Sequence, residues 1–357
     1  MVGVRVFYLD LFFSPYPPTF VPQYRGVEQL VARWAHNPKV TGSSPVPATK
    51  TPGQSPGFFF LKSSMPQHKA GFVSIVGKPN VGKSSLMNKL VGENLSIITS
   101  KAQTTRHRIM GMLNGDDFQI VYSDTPGILE PKYELHQAMM SYVKVSLEDA
   151  DVILVVVELG EKYDEQLFLR FKSIQTPVLL IINKIDKANG SQLEDKIKYW
   201  KELIQPKEII PVSALTGENV ESLLPLIKSY LPEHPGYYPK DDFTDRSERF
   251  FASEIIREKI FLNYEQEIPY STEVGIDSFK DEEAIIRIRA IIFVERDSQK
   301  GIIIGKMGSS LKKVGTEARK DLETFFGKKV FLETHVKVAD NWRKQKQRLK
   351  QFGYLDS

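Results

Sequence analysis

The stretch Gly71-Phe-Val-Ser-Ile-Val-Gly77-Lys-Pro-Asn-Val-Gly-Lys83-Ser84 decides the fold of the first half of this chain. Its apolar first half predicts a short buried strand, and its second half fits the pattern G-x-x-x-x-G-K-[ST]. Leu86, Leu90 and Val91 follow at helical spacing. A strand, a glycine-rich loop and a helix in this order predict a phosphate-binding loop, because the loop N–H groups and the helix N-terminus both favour an anion.

Two side chains of this loop carry the expected chemistry. Lys83 is placed to reach the β- and γ-phosphates of a nucleotide, and the Ser84 hydroxyl to ligate Mg²⁺. A chance glycine-rich turn is the alternative, but the strand before it and the helix after it argue against that interpretation. The loop offers further nucleotide contacts through Gly77, Lys78, Pro79, Asn80, Val81, Gly82 and Ser85.

A second motif belongs to the same metal and phosphate site. Asp124-Thr125-Pro126-Gly127 follows an apolar run over 118–122. A second carboxylate for the Mg²⁺ shell belongs at Asp124, and the Gly127 N–H can sense the γ-phosphate. We therefore expect Lys83, Asp124 and Gly127 to take part in catalysis.

Two later segments favour guanine over adenine. Asn183-Lys184-Ile-Asp186 follows an apolar run over 177–182. The carboxylate can accept hydrogen bonds from both N1–H and the 2-amino group of guanine, a donor pair that adenine lacks. After a further apolar run comes Ser213-Ala214-Leu215, where a backbone N–H can contact guanine O6. Together the four motifs predict a Mg²⁺-dependent site for GTP and GDP.

Strand-like and helical segments alternate through this region and predict a doubly wound α/β sheet, mostly parallel with one antiparallel edge strand. The run over 151–157 is almost continuously apolar, as a central parallel strand requires. Strands are expected near 72–76, 109–114, 117–123, 151–157, 177–182 and 208–213. Helices are expected near 83–91, 135–149, 164–173, 192–203 and 220–230.

The loop between the first two motifs contains Thr104-Thr105-Arg106-His107-Arg108. A threonine here is needed to close the Mg²⁺ shell in the GTP state. We expect it to be Thr105, with Thr104 as the second choice. The three basic residues that follow either contact RNA or phosphate or are solvated charges of a switch loop.

The position after Gly127 departs from a Ras-like enzyme, which has glutamine there to orient the attacking water. Ile128 cannot do that, although its backbone belongs to the expected nucleotide site. Another group, an added cation, or backbone and water must assist hydrolysis. Asn80 occupies the position at which some related GTPases hold K⁺. A K⁺ there would add positive charge near the β–γ bridge. The alternative is that Asn80 only caps the loop.

After a Pro-, Gly- and Asp-rich segment at 232–242, a smaller domain is expected. The pattern predicts a helix over 246–261, strands over 272–279 and 283–294, a helix over 309–326 and a strand over 330–338. Apolar residues lead into Gly305-Lys306-Met307-Gly308 between two helices. This arrangement is typical of a KH domain with helix–strand–strand–helix–helix–strand order (type 2), whose two glycines allow close approach to a nucleic-acid backbone.

Charge is distributed so that one end of the chain suits RNA. Residues 300–357 carry 14 Lys and Arg against 6 Asp and Glu, whereas residues 65–242 carry 20 against 23. We expect Lys306, Lys312 and Lys313 to contact RNA, and a basic tail helix over 342–352 to extend that surface. The alternative is a solvated basic helix.

The first 64 residues have a different composition. They hold 9 of the 21 prolines and no periodic apolar pattern, which favours disorder. Gly42-Ser43-Ser44-Pro45 could be encoded by a sequence that resembles the T-arm of a transfer RNA. We therefore hypothesise that the true start is Met65 and that residues 1–64 are a gene-calling artefact. A genuine disordered tail is the alternative.

Composition excludes several function classes. No run of 18 uninterrupted apolar residues is present, so a membrane-spanning helix is not expected. The chain has no cysteine, which excludes disulfides, thiol catalysis and Cys-ligated zinc.

The four nucleotide motifs, Gln103-Thr-Thr-Arg-His-Arg108 and the C-terminal GxxG segment together resemble the Era family of bacterial GTPases over about residues 66–357. The resemblance implies a monomeric GTPase that binds the 3′ end of 16S ribosomal RNA through its KH domain and assists assembly of the small (30S) ribosomal subunit. It also implies a cytoplasmic protein with peripheral inner-membrane association. The expected boundaries are 66–231 for the GTP-binding domain, 232–245 for a linker, 246–338 for the KH domain and 339–357 for a basic tail.

Two other functions stay open. One is a related GTPase that acts in another RNA pathway, against which the C-terminal GxxG argues. The other is an RNA-binding chaperone with a weak or regulatory nucleotide site, which Ile128 keeps open. In the favoured interpretation, GTP and Mg²⁺ order the loops containing Thr105 and Gly127, and this changes how the two domains pack.

Overall fold

The structure is a computed structural model that describes residues 68–165, 168, 171 and 174–355. The hypothesis about residues 1–64 therefore lies outside the described residues. So does most of the helix predicted over 164–173.

A six-stranded sheet forms the first domain. Its strands are β1 (Lys69–Val76), β2 (Ile109–Asn114), β3 (Phe118–Asp124), β4 (Val152–Glu158), β5 (Val178–Asn183) and β6 (Glu208–Pro211). They lie in the order β2-β3-β1-β4-β5-β6. Every neighbouring pair is parallel except β2 with β3, which is antiparallel. The predicted doubly wound sheet with one antiparallel edge strand is thus confirmed.

Helices cover both faces of this sheet, so its central strands have no solvent-facing side. Residues 152–157 of β4 are fully buried, which explains why their sequence shows no alternation of apolar and polar residues. The helices described are α1 (Lys83–Val91), α2 (Glu134–Glu148), α3 (Gln192–Ile204) and α4 (Leu223–Tyr230). Loops that leave the carboxyl ends of β1, β3, β5 and β6 therefore meet at one edge of the sheet, which is where such folds bind ligands.

The predicted linker is fastened to the first domain along strands β2 and β3. Gln119 Oε1 accepts hydrogen bonds from the backbone N–H groups of Tyr237 (2.6 Å) and Tyr238 (2.9 Å). The Met112 N–H donates to the Phe243 carbonyl at 2.8 Å. These bonds give β2, at the edge of the sheet, a backbone partner and hold residues 237–243 against the sheet.

The second domain packs helices on one face of a three-stranded sheet. The strands are β7 (Glu273–Asp281), β8 (Ile285–Val294) and β9 (Lys329–Val338); the helices are α5 (Glu248–Asn263), α6 (Ile268–Ser271), α7 (Asp297–Ile304) and α8 (Ser309–Phe326). The strands lie in the order β7-β8-β9. β7 and β8 are antiparallel, whereas β8 and β9 are parallel. This is the predicted element order, apart from the single-turn helix α6, which the sequence pattern did not indicate.

The C-terminal tail differs from the predicted continuous helix. A 3₁₀ turn covers Trp342–Lys344, and a short helix, α9, covers Lys346–Gln351. Gln345 between them is extended, with φ −106° and ψ 109°. Trp342, Leu349 and Tyr354 are buried with residues of α2 in one apolar cluster. The tail therefore packs on the first domain through these three side chains. Among the described residues, no helix is both long and apolar enough to cross a membrane.

Candidate nucleotide site and nucleic-acid interface

The loop between β1 and α1 takes a conformation that only glycine allows at two positions. A Cβ added at Gly77 (φ +153°) would lie 2.2 Å from the Val156 carbonyl oxygen. One added at Gly82 (φ +98°) would lie 2.2 Å from Asn183 Nδ2. Because the loop is pressed against β4 and β5 in this way, it curls at the N-terminus of α1, where backbone N–H groups can bind phosphate.

Lys83, the first residue of α1, bends back over this loop, and its Nζ donates to the Lys78 carbonyl at 2.9 Å. Burial lowers the pKa of Lys83 to about 8, although the charges of Asp124 and Glu161 act in the opposite direction. Burial raises the pKa of Asp124, although the hydrogen bond from Ser84 and the charge of Lys83 act to lower it. Both groups are thus desolvated, and a bound phosphate and cation would satisfy them.

Oxygen atoms of three predicted metal ligands converge beside Lys83. Ser84 Oγ donates to Asp124 Oδ2 at 2.7 Å and lies 2.9 Å from Thr105 Oγ1. The other carboxylate oxygen, Asp124 Oδ1, is buried, and the hydroxyl of Ser96 lies near the carboxylate without forming a hydrogen bond to that oxygen. A compact group of hydroxyl and carboxylate oxygens with an unpartnered acceptor fits Mg²⁺.

The choice between the two neighbouring threonines follows from their contacts. Thr104 Oγ1 donates to the Lys101 carbonyl at 2.8 Å and lies 2.6 Å from Thr99 Oγ1. It is therefore engaged within its own loop, while Thr105 lies next to Ser84. The geometry supports the prediction of Thr105 over Thr104.

The two base-recognition segments are tied together and to the phosphate loop. Asn183 Oδ1 accepts a hydrogen bond from the Ala214 N–H at 2.9 Å, and Asn183 Nδ2 donates to the Val81 carbonyl at 2.8 Å. Ser213 Oγ donates to Asp186 Oδ1 at 2.6 Å, which orients the carboxylate. Asn183 thus ties the two segments and the phosphate loop together, while Asp186 lines the cavity between them.

All these segments line one cavity of about 420 Å³, which is large enough for a nucleotide. Its walls include Asn80, Lys83, Ser84, Thr105, Gly127, Lys184, Asp186, Ala214 and Leu215. A larger cavity of about 720 Å³ opens on the other side of Lys184, near Tyr199. It contains none of the predicted phosphate or metal residues, so the smaller cavity is the candidate site.

Ile128 lies close to the phosphate loop but points away from it. Its N–H donates to the Gly77 carbonyl at 3.0 Å, and its side chain is buried in the apolar cluster that contains Val76 and Val143. A side chain held in the core does not orient a water molecule, so the structure agrees with the expectation that another group assists hydrolysis.

Arg106 and His107 were predicted either to contact RNA or phosphate or to be solvated charges of a switch loop. Both alternatives are wrong for these two residues. Arg106 is 1% exposed; its Nη1 donates to the Thr272 carbonyl and to Glu273, and its Nη2 to the carbonyls of Pro269 and Tyr270. These acceptors belong to the second domain. His107 is 7% exposed, and burial followed by the nearby arginines lowers its pKa well below the usual value. Both residues form the interface between the domains.

Arg108 also has protein partners. Its Nη1 contacts Asp149 at 2.7 Å, and its Nε donates to Ser123 Oγ at 3.0 Å. Both alternatives for these three residues assumed that the loop is open to solvent or to a ligand, because charged residues in a loop usually are. Nothing local in the sequence indicates that a second domain covers it.

The second predicted site, the GxxG turn, lies between α7 and α8, with its two glycines half-buried and the two residues between them exposed. Gly305 (φ +70°) has no room for a Cβ, which would lie 2.2 Å from Ser310 Oγ. Gly308 (φ +79°) instead faces open space, with nothing within 4 Å. Met307 is 99% exposed. A turn held tightly on one side and open on the other can receive a nucleic-acid backbone.

Basic side chains lie in this turn and shortly after it. Lys306 is its second residue, and Lys312 and Lys313 are exposed near the start of α8. The Lys313 ammonium lies 3.9 Å from Glu317, an exposed pair that leaves its charge available to phosphate.

Comparisons with known proteins also divide the chain into a GTPase domain and a KH domain. A family profile described as "50S ribosome-binding GTPase" matches residues 72–184, and one described as "KH domain" matches residues 267–343. The curated GTPase Era of Staphylococcus haemolyticus (strain JCSC1435) is 45% identical over 296 residues, which cover 82% of this chain and 99% of the relative. The chain belongs to the Era family of GTPases.

Solved Era structures have the same architecture. Era in complex with MgGDPNP and nucleotides 1506–1542 of 16S ribosomal RNA is 41% identical, with a TM-score of 0.77 over 80% of this chain and 99% of that one. A single-substitution variant of Aquifex aeolicus Era bound to GDP·AlF4⁻ is 42% identical, with the same TM-score and coverage. The predicted fold, a GTPase domain followed by a type 2 KH domain, is thereby confirmed for this Era-family chain.

Proposed function

We propose that this protein is a GTP-hydrolysing switch that binds the 3′ region of 16S ribosomal RNA through its KH domain and assists assembly of the small ribosomal subunit. One observation carries the proposal: the loop that holds Thr105 at the metal site is anchored to the KH domain by Arg106. A switch of this kind needs such a physical connection between nucleotide and RNA sites. The RNA seen with a relative supports the choice of partner.

The residues of this chain divide the work of nucleotide binding. Lys83 and the backbone of the glycine-rich loop bind the β- and γ-phosphates, and Asp186 and the Ala214 segment select guanine. Ser84, Asp124 and Thr105 would hold Mg²⁺. The positive charge of Mg²⁺ held there would help to neutralise the charge that develops on the phosphate oxygens. The Gly127 N–H donates to the γ-phosphate and so distinguishes GTP from GDP.

We propose that K⁺ assists hydrolysis where Ile128 cannot. Asn80 lines the candidate cavity, and because its Nδ2 donates to the Ser100 carbonyl at 2.9 Å, its Oδ1 is the atom available to a monovalent cation. Replacing KCl by NaCl at constant ionic strength should then lower turnover. An unchanged rate would contradict this part of the proposal.

RNA binding uses the exposed side of the GxxG turn together with Lys306, Lys312 and Lys313. Release of Thr105 after hydrolysis would loosen the loop that Arg106 anchors and change the contact between the domains. By linkage, RNA that prefers one arrangement changes the affinity for the nucleotide that stabilises it.

The central test measures GTP turnover in K⁺ and Mg²⁺, with and without an RNA that matches the small-subunit 3′ end. We expect RNA to stimulate turnover of the wild type. Lys83→Ala should abolish hydrolysis, and Gly308→Asp should keep basal turnover but lose the RNA response. Equal turnover of ATP would contradict the nucleotide assignment. If RNA does not change the turnover, the protein is better explained as a GTPase of another RNA pathway. If the protein binds RNA but does not hydrolyse GTP, it is better explained as an RNA chaperone.

A cytoplasmic location, peripheral association with the inner membrane and a monomeric state stay predictions that rest on family resemblance alone. Cell fractionation with an antibody, before and after a salt wash, tests the first two. Light scattering of the purified chain tests the third.

A further inference from the structure

The residues on both sides of Thr105 are held by the second domain. Before it, the Thr104 carbonyl accepts a hydrogen bond from Arg257 Nη2 at 2.5 Å, and Arg257 is paired with Glu254 within α5. After it, Arg106 donates to four acceptors around α6 and the start of β7. The backbone that carries the Thr105 hydroxyl to Ser84 is thus positioned from outside the nucleotide domain.

Tyr354, in the C-terminal tail, completes this buried group. Its hydroxyl donates at 2.6 Å to Glu273 Oε2, the same oxygen that lies 3.0 Å from Arg106 Nη1. Its ring stacks on His107, with centroids 4.3 Å apart and planes 12° from parallel. Tyr354 is only 1% exposed. Tyr354 therefore contacts His107 directly and is connected to Arg106 through the carboxylate of Glu273.

The tail that carries Tyr354 is itself fixed on the helix after the Gly127 loop. The Tyr142 hydroxyl of α2 donates to the Gly353 carbonyl at 3.0 Å. Trp342 is buried with Leu135 and Met139 of α2, and its Nε1 donates to the Ser271 carbonyl at 2.9 Å. The tail from Trp342 to Tyr354 thus lies between α2, the Thr105 loop and the KH sheet.

We propose that Tyr354 is a positioning residue for Thr105, so that the C-terminal tail helps to hold the nucleotide site in its triphosphate-binding form. This deepens the proposed function and rests on it, because it assumes that Thr105 closes the Mg²⁺ shell only when a γ-phosphate is present. Tyr354 touches neither nucleotide nor metal. It acts through His107, Glu273 and Arg106.

The test compares affinities for GDPNP and GDP in Mg²⁺ for the wild type, Tyr354→Phe and Tyr354→Ala. The phenylalanine keeps the ring over His107 and loses only the hydrogen bond to Glu273. We expect it to weaken GDPNP binding by about threefold to tenfold, the range for one buried hydrogen bond, and to leave GDP binding within about twofold. Tyr354→Ala removes both contacts and should have the larger effect on GDPNP. In the Thr105→Ala background, Tyr354→Phe should have no further effect.

Tyr237→Phe, in the linker that runs along β2 and β3, is the matched control and should leave both affinities unchanged. Hydrogen exchange of residues 349–355 gives a second readout, and it should be slower with GDPNP than with GDP. Equal weakening of GDPNP and GDP binding by Tyr354→Phe, or an undiminished effect in the Thr105→Ala background, would overturn the proposal. A wild type that binds no guanine nucleotide would instead defeat the proposed function itself.

Discussion

Asn183 Nδ2 donates to the Val81 carbonyl at 2.8 Å, which joins the end of β5 to the glycine-rich loop between β1 and α1. The two segments are 102 residues apart in the chain. One amide side chain therefore sets the distance between the base-binding and phosphate-binding halves of the site. Its Oδ1 also holds the Ala214 N–H.

Replacing Asn183 with alanine should therefore weaken nucleotide binding without removing any group that faces the base. Two buried hydrogen bonds are lost and their partners are left unsatisfied, which costs about 1–3 kcal/mol per group. We expect the GDP dissociation constant, measured by calorimetry, to rise by roughly tenfold or more. Asn189→Ala, at an exposed position in the loop that follows, is the control and should leave it unchanged. If Asn183→Ala and the wild type had equal GDP dissociation constants, the two loops would keep their spacing without the Asn183 side chain.

The nucleotide half of the site could be predicted from sequence because each motif is short and follows a buried strand. Parallel strands bring their carboxyl ends to one edge, so Lys83, Asp124, Asp186 and Ala214 had to come together once the sheet was recognised. The GxxG turn could be predicted for a different reason, because its two glycines stand between two helical segments. In the structure both glycines take positive φ values.

The interface between the domains could not be predicted in this way. Arg106 is bonded to residues 163 to 167 positions further along the chain, and no periodic pattern encodes that pairing. Trp342 and Tyr354 lie in a basic tail whose many charges favoured a helix that extends the RNA surface. Whether a few side chains of a basic segment are buried depends on which part of the folded protein lies next to that segment. Here it is helix α2, and only the tertiary structure shows this.

The buried state of Lys83 predicts that nucleotide binding takes up a proton at alkaline pH. In the empty site, burial lowers the pKa of Lys83 to about 8. Phosphates stabilise the charged ammonium and raise its pKa again. Between these two values the free protein is neutral at Lys83 and the complex is protonated, so affinity for GDP should fall as pH rises above 8, by up to about tenfold per pH unit.

Calorimetry at about pH 8.5 to 9, just above that pKa, in buffers of different ionisation enthalpy measures this proton uptake directly. Lys83→Arg is the matched control, because a guanidinium stays charged throughout the range. Its affinity should be lower overall but independent of pH. Binding of GDP to the wild type without proton uptake would show that Lys83 is already charged in the empty site.

Gly127→Ala should separate GTP from GDP binding. A Cβ at this position would lie 2.6 Å from the backbone nitrogen of Pro79 and 2.7 Å from its Cα, so the loop has to move away from the phosphate site. The N–H that senses the γ-phosphate moves with it. We expect GDPNP affinity to fall by roughly tenfold to a hundredfold, the range for one hydrogen bond to a charged group, and GDP affinity to change little.

Competition with a fluorescent guanine nucleotide measures both affinities for Gly127→Ala. Gly160→Ala is the control, because nothing lies within 4 Å of a Cβ at that glycine. If GDP and GDPNP weaken equally, Gly127 supports the phosphate loop as a whole and does not sense the third phosphate.

Salt dependence tests whether α8 presents its N-terminal end to RNA. Lys312 and Lys313 are exposed near the start of this helix, which directly follows the GxxG turn, and each phosphate they neutralise releases condensed counterions. The double variant Lys312→Ala/Lys313→Ala should bind a single-stranded RNA from the small-subunit 3′ end more weakly at low salt. Its slope of log K against log salt should be smaller by about 1.4, or roughly 0.7 per contact.

Lys320→Ala, near the other end of the same helix, should keep the wild-type slope. An unchanged slope in the double variant would mean that RNA leaves the GxxG turn in another direction, because two exposed charges in its path cannot be removed without a change in counterion release.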